Sequence, residues 1–264
     1  DTNRSSTDVL AKGDADFITL FLSTAIKAKA NGMPVVNLAQ LSQRSALIFI
    51  AKKDKGITKL EDLNGKRIGL WKSDFHDIPL AFIKKHDLKV NIIPISGGIN
   101  LFLWDGVDAL ALMWYNEYHT IQSSGIDENE LTSFFISDYG LNVPEDGIYC
   151  QEKLWTENPD LCRRFITASL DGWKYAFKNQ DSTLQIVSKI MKDAHQPFNM
   201  AHQSWMLKKI KELSMPSSEK GSLGVLKQTD YYTAADILKE NGAIKEIPRY
   251  EDFYHNITGS SDVK

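Results

Sequence analysis

The sequence predicts an α/β protein built as two lobes, and three observations point there. The chain has 264 residues, past the ~250 at which a single hydrophobic core usually stops growing. Its first 150 residues alternate short apolar runs with helix-like stretches, the pattern of parallel βαβ units. After Cys150 the texture turns mostly helical.

The elements follow in order. Phe17–Leu22 is a short apolar run, after which Ser23 and Thr24 open a helix-like stretch that Asn31-Gly32 stops. Val35–Leu41 and Ala46–Ala51 read as strands. Asp62–Asn64 is turn-like and leads into Arg67–Trp71, a strand, with a helix over Asp77–His86 closed by Asp87. Val90–Ile95 is a strand, Ile99–Trp104 a helix and Ala109–Trp114 a strand. Later, Leu161, Phe165, Leu170, Trp173 and Phe177 recur at helical spacing, which predicts one long helix over Pro159–Asn179. Asn158 caps it and Pro159 suits its first turn. Further helices are expected over Ser182–Lys192, Met200–Leu213 and Thr233–Asn241, the last stopped by Gly242.

Composition excludes several function classes. The net charge is −3, without the basic stripe that phosphate backbones require, so no nucleic-acid partner is expected. No run of ~18 apolar residues exists to span a bilayer, and Asp1–Asp8 is polar, without a signal-peptide apolar region. Cys150 and Cys162 show no metal-ligand spacing; two buried thiols are the favoured reading, with a disulfide as the alternative. The six histidines, His76, His86, His119, His195, His202 and His255, form no i, i+4 metal pair and are read as structural. No nucleophile elbow, zinc-protease motif or phosphate loop occurs. The chain is therefore expected to be no enzyme, with neither catalytic residues, metal nor cofactor.

One short pattern occurs twice. Leu10-Ala-Lys-Gly13-Asp-Ala-Asp16-Phe-Ile and Leu103-Trp-Asp-Gly106-Val-Asp108-Ala-Leu each run from a helix end through glycine and aspartate into an apolar strand. Glycine takes the left-handed position that ends a helix. The repeat suggests two lobes of similar build.

Those segments, with Ala30-Asn-Gly-Met-Pro34-Val-Val36, Gly56-Ile-Thr-Lys-Leu60-Glu-Asp-Leu-Asn-Gly65-Lys-Arg67-Ile-Gly69, Trp114-Tyr-Asn-Glu117 and Glu157-Asn-Pro-Asp-Leu161, stand in an order that resembles one family. It comprises the substrate-binding proteins of nitrate, sulfonate and thiamine-precursor importers, most closely the branch that binds the thiamine pyrimidine precursor. The resemblance runs from about Val9 to Phe253. It implies a type II periplasmic-binding-protein fold whose usual N-terminal strand–helix–strand does not appear in this chain. Residues 1–49 and 149–264 would form lobe 1 and residues 50–148 lobe 2. Ala46–Ala51 and Gly147–Cys150 would cross between them as hinge strands. It further implies an extracytoplasmic protein, periplasmic or a cell-surface lipoprotein of a bacterium, with a membrane permease as partner and a small heterocycle in the interlobe cleft. Two alternatives stay open: a sensing domain attached to its own kinase or cyclase module, or a sulfonate- or nitrate-type anion as ligand. A pyrimidine-synthesising enzyme of the same fold would carry a cysteine cluster, which this sequence lacks.

Candidate contacts stand at strand ends, where α/β folds place their ligands. Ser23 and Thr24 open a helix and either grip a polar group or cap the helix. Gln43, with Arg44 and Ser45, precedes the first crossing and suits a heterocycle's edge. Trp71 closes a strand, followed by Ser73 and Asp74, and offers a stacking face. Trp114, Tyr115, Asn116 and Glu117 set two aromatics beside an amide and a carboxylate, the mixture that pockets use. There Glu117 would accept from amino donors. Asp146 and Tyr149 flank the return crossing.

Overall fold

The computed structural model describes residues 4–72, 75–217 and 223–257. The first unit takes Asp1–Ser45, Val143–Tyr175 and Lys211–Lys264; the second takes Ala46–Asn142 and Ala176–Ile210.

The first unit begins with α1 (Ser6–Ala11), capped by the Ser5 hydroxyl, which accepts from the Asp8 N–H at 3.1 Å. Gly13, at φ 73°, turns the chain out of α1 toward β1 (Phe17–Phe21). Helix α2 (Leu22–Ala30) follows β1 directly and leads to β2 (Val35–Gln40), every residue of which is buried.

The second unit holds β3 (Leu47–Lys52), β4 (Arg67–Trp71), α3 (Asp77–Lys85), β5 (Asn91–Ile95), α4 (Asn100–Leu103), β6 (Ala109–Met113), α5 (Glu117–Ser123) and β7 (Leu131–Phe135). The chain then returns through β8 (Asp146–Gln151) and α6 (Glu152–Glu157) of the first unit. Helix α7 (Pro159–Lys178) follows, then α8 (Gln180–Asp193), α9 (Met200–Ser214), α10 (Gln228–Glu240) and α11 (Tyr250–Phe253).

Two sheets result. One has the order β1-β8-β2, with β8 antiparallel to both neighbours. The other has the order β5-β4-β6-β3-β7, parallel at β5-β4-β6 and antiparallel where β3 meets β6 and β7. Parallel βαβ pairing thus holds in the second sheet's β4–β6 part. The antiparallel members are the two strands the sequence reading assigned to the crossings. Each lies wholly in one sheet, β3 in the second and β8 in the first, and the chain passes between units in the loops before them.

The segment 176–210 groups with the second unit, whereas the sequence reading set it with lobe 1. Its apolar positions are used there: Trp205 packs on the cluster of Ile48, Ile50, Phe102, Leu110, Leu112 and Tyr118, and its ring stacks on Tyr118 at 5.9 Å. The first unit's core gathers Val36, Leu38, Ile148, Cys150, Cys162 and Ile166.

The repeated pattern is built differently at its two occurrences. At the second, Asp105 takes the left-handed conformation, φ 56°. Gly106 is needed for another reason: a Cβ there would stand 2.8 Å from Leu101 Cδ2. Asp105 pairs with Lys52 at 2.8 Å and Lys55 at 3.0 Å. Asp108 accepts from the Arg67 backbone N–H and guanidinium, both at 2.8 Å, tying the start of β4 to the start of β6. Asp62 accepts from the N–H groups of Thr58 and Lys59 at 2.9 and 3.0 Å. These acidic residues of the recognisable motifs hold scaffold turns.

Candidate functional site

In the first unit, β1 passes into α2 at Leu22, whose N–H donates to the Glu145 carbonyl at 2.8 Å. No side chain caps α2. Ser23 and Thr24 occupy its first turn and both are buried; the Thr24 hydroxyl has no hydrogen-bond partner among the described residues. Asp146 stands opposite Phe21 in the β1–β8 ladder, the residue just before α2 begins. Burial pushes the Asp146 carboxyl up to about 6, since charge is costly away from water.

A polar cluster fills the sheet beside it. Gln40 Nε2 donates to the carbonyls of Glu145 at 3.3 Å and Asp146 at 3.0 Å, and Asn37 Nδ2 donates to Gln40 Oε1 at 3.1 Å. The Ser45 hydroxyl donates to buried Glu145 Oε1 at 2.6 Å. Gln43 Nε2 donates to the carbonyls of Gln40 at 2.9 Å and Val225 at 3.0 Å, which commits its amide N–H groups to the backbone. Arg44 meets the Leu213 carbonyl through its own N–H. Tyr149 is fully buried; its hydroxyl lies beside Asn37 without a well-formed hydrogen bond, and burial holds the phenol protonated well above its usual range. Gly147 lets the cluster close. A Cβ there would stand 2.7 Å from Asn37 Nδ2, 2.8 Å from Gln40 Oε1 and 2.9 Å from Tyr149 Cε2.

In the second unit, Trp71 ends β4 as expected. Its ring meets Phe75 edge-on at 4.4 Å, and its buried indole N–H has no partner among the described residues. Ser73 and Asp74 lie outside the described residues. Trp114 follows β6, edge-on to Phe135 at 5.1 Å, with the Lys209 ammonium 4.0 Å from its ring centre. Tyr115 is half-buried. Glu117 opens α5, and both its oxygens are engaged: Oε2 accepts from the Met113 N–H at 3.1 Å and Oε1 from Asn116 Nδ2 at 2.8 Å. Burial raises its carboxyl, and these hydrogen bonds oppose the rise.

Trp114, Asn116 and Glu117 therefore form one constellation, and Ser23, Thr24 and Asp146 form another. Sequence reasoning set two histidines aside that join the first group. His202 Nε2 lies 3.0 Å from Asn116 Oδ1, and His202 Nδ1 lies 3.1 Å from His119 Nδ1. These residues are 83 apart in sequence, so no local spacing could have revealed the pair.

The comparisons with known proteins agree on the fold. The aliphatic sulphonate binding protein SsuA from Escherichia coli superposes with a TM-score of 0.70 at 16% identity, covering 97% of this chain and 80% of that one. The putative sulfonate-binding SsuA of Methylobacillus flagellatus gives 0.69 at 14% identity, with coverage of 95% and 75%. A Candida albicans protein described as having the generic periplasmic binding protein fold gives 0.61 at 16% identity, with coverage of 97% and 85%. This is the periplasmic-binding-protein fold that the sequence predicts. Riboflavin-binding protein RibY of Chloroflexus aurantiacus is 25% identical over 185 residues, 67% of this chain. The chain spans about half the length of that curated relative, 51%. The family model described as NMT1/THI5 like matches residues 1–183. With well over half its residues under that match, the chain belongs to the NMT1/THI5-like family.

Proposed function

We propose that this chain is the solute-binding component of an ABC-type importer, working outside the cytoplasm, and that its solute is a small amino-substituted heterocycle such as a thiamine pyrimidine precursor. Its partners are then that solute and a membrane permease. The observation that carries the reading is the corner of the first unit. There Asp146, a half-buried residue, stands opposite Phe21 where β1 passes into the uncapped α2, and the buried Thr24 hydroxyl in the first turn of that helix lacks a partner among the described residues. A buried polar group without a protein partner costs about 1–3 kcal/mol, a cost that a bound ligand removes. Asp146 takes the acceptor role that the sequence reading assigned to Glu117, whose two oxygens already serve Met113 and Asn116. The riboflavin-binding name of one relative supports a heterocyclic solute.

The uncapped α2 start favours a second reading, because backbone N–H groups there attract anions, and sulfonate is named for two structural neighbours. Asp146 opposes it: titrating at about 6, its carboxyl is mostly ionised at neutral pH and repels a second negative charge. A thermal-shift screen separates the two. A ligand held only by the folded state raises the melting temperature, by an amount equivalent to about 2.7 kcal/mol at a hundredfold excess over Kd. Aminopyrimidines are expected to raise it and alkanesulfonates not. Asp146→Asn and Thr24→Val should each weaken pyrimidine binding roughly tenfold or more, the equivalent of ~1.4 kcal/mol. A shift with sulfonate alone, strengthened by Asp146→Asn, overturns the heterocycle.

A further inference from the structure

The histidine pair of the second unit has the geometry of a metal chelate. His119 lies on α5 and His202 on α9, and their Nδ1 atoms face each other at 3.1 Å. Both residues are half-buried, so neither is sealed from solvent.

The tautomer of His202 is set by its neighbours. A carboxylate oxygen only accepts, so Glu117 Oε1 orients the Asn116 amide with its NH2 toward Glu117 and its carbonyl toward His202. The Asn116 carbonyl also only accepts, so His202 Nε2 carries the proton. That leaves a lone pair on His202 Nδ1, aimed at His119. A neutral imidazole with a free ring-nitrogen lone pair is the form that binds metals. The chain Glu117–Asn116–His202 repeats the outer-shell pattern in which a ligating histidine donates its other N–H to a fixed acceptor.

We propose that His119 and His202 bind a borderline divalent cation of the zinc, nickel and copper(II) class through their two Nδ1 atoms. With metal–nitrogen bonds of ~2.05 Å, nitrogens 3.1 Å apart subtend an angle of about 100° at the ion, between the right angle of square coordination and the tetrahedral angle. Imidazole suits this class of metal, whereas calcium and magnesium take oxygen ligands. Without the ion, His119 Nδ1–H donates to His202 Nδ1. On binding, that proton leaves Nδ1 and the ring carries its proton on Nε2 instead, so the site loads without net proton uptake. Among the described residues no third His, Cys, Asp or Glu joins the pair. Water therefore completes the coordination shell, with the Ser123 hydroxyl 3.3 Å from His119 Nδ1. The site stands on the second unit alone and is independent of the solute reading.

The test uses the full chain stripped of metal with EDTA. Titration calorimetry with Zn2+ at neutral pH should show one saturable site. Either His119→Gln or His202→Gln should weaken it at least about tenfold, the smallest loss usual when a metal site is disturbed. His195→Gln, at an exposed turn after α8, should leave it unchanged. Loaded with one equivalent of Cu2+, the parent chain should give an electron paramagnetic resonance spectrum with coupling to two imidazole nitrogens. No saturable uptake, uptake that survives both substitutions, or a single-nitrogen copper spectrum would each overturn the site. The copper spectrum of the parent chain decides the matter even if a variant misfolds.

Discussion

Asp146 is a carboxyl whose ionisation is opposed by burial, and this makes the protein's stability depend on pH in a stated direction. Its folded-state value is about 6 against an ordinary 3.8. Between those values the folded state holds the proton and the unfolded chain releases it. The contribution of Asp146 to stability is thus fully present below about pH 4, falls as pH rises to about 6, and is flat beyond. The difference corresponds to about 3 kcal/mol. Asp146→Asn should accordingly stabilise the ligand-free protein at pH 7 and gain little at pH 4, as denaturant titrations at the two pH values will show. A gain equal at both would mean that the carboxyl is not the titrating group. Gly147 offers a steric counterpart. Gly147→Ala would press a methyl against three buried side chains at once, and overpacking of this kind costs about 1–3 kcal/mol. An unchanged melting temperature would show that the polar cluster yields freely.

At the scale of elements, the apolar runs and their stops were legible because local physics decides them. Phe17–Phe21, Val35–Gln40, Arg67–Trp71 and Ala109–Met113 fall within the expected strands, and α7 opens at Pro159 as expected. Short polar elements were not: α6, β7 and the helical nature of α5 carry no clear period, and sheet pairing or packing decides them. The cysteines show the same division. Cys150 on β8 and Cys162 on α7 are free thiols, fully buried in one core cluster, and burial raises both thiols, Cys150 well above the ordinary range. Since only the thiolate attacks, iodoacetamide should leave both unmodified in the native protein and alkylate both in guanidinium. Rapid native labelling would contradict that burial.

For the whole molecule, the consequence lies in how the chain is shared. It passes between the two units after Ser45, Asn142, Tyr175 and Ile210, so neither unit is a continuous stretch. The second needs 176–210, because Trp205 stacks on Tyr118 and Lys209 covers the Trp114 ring. A fragment of residues 46–142 alone should expose that aromatic face. It is expected to bind a hydrophobic dye and unfold without a sharp transition, while a fragment continued by linker to 176–210 recovers cooperativity. A sharp, dye-free transition in the shorter fragment would show that the later helices are dispensable.

The order of elements, the α/β class, the family motifs and the presence of aromatics and polar groups at strand ends follow from the sequence alone. Each depends on periodicity, turn chemistry or residue type within a few neighbours. Only the tertiary structure decided that burial raises the Asp146 carboxyl, that Glu117 serves the start of α5, and that His119 meets His202. Those outcomes depend on burial and on partners brought together by folding, and neither quantity is written in local spacing.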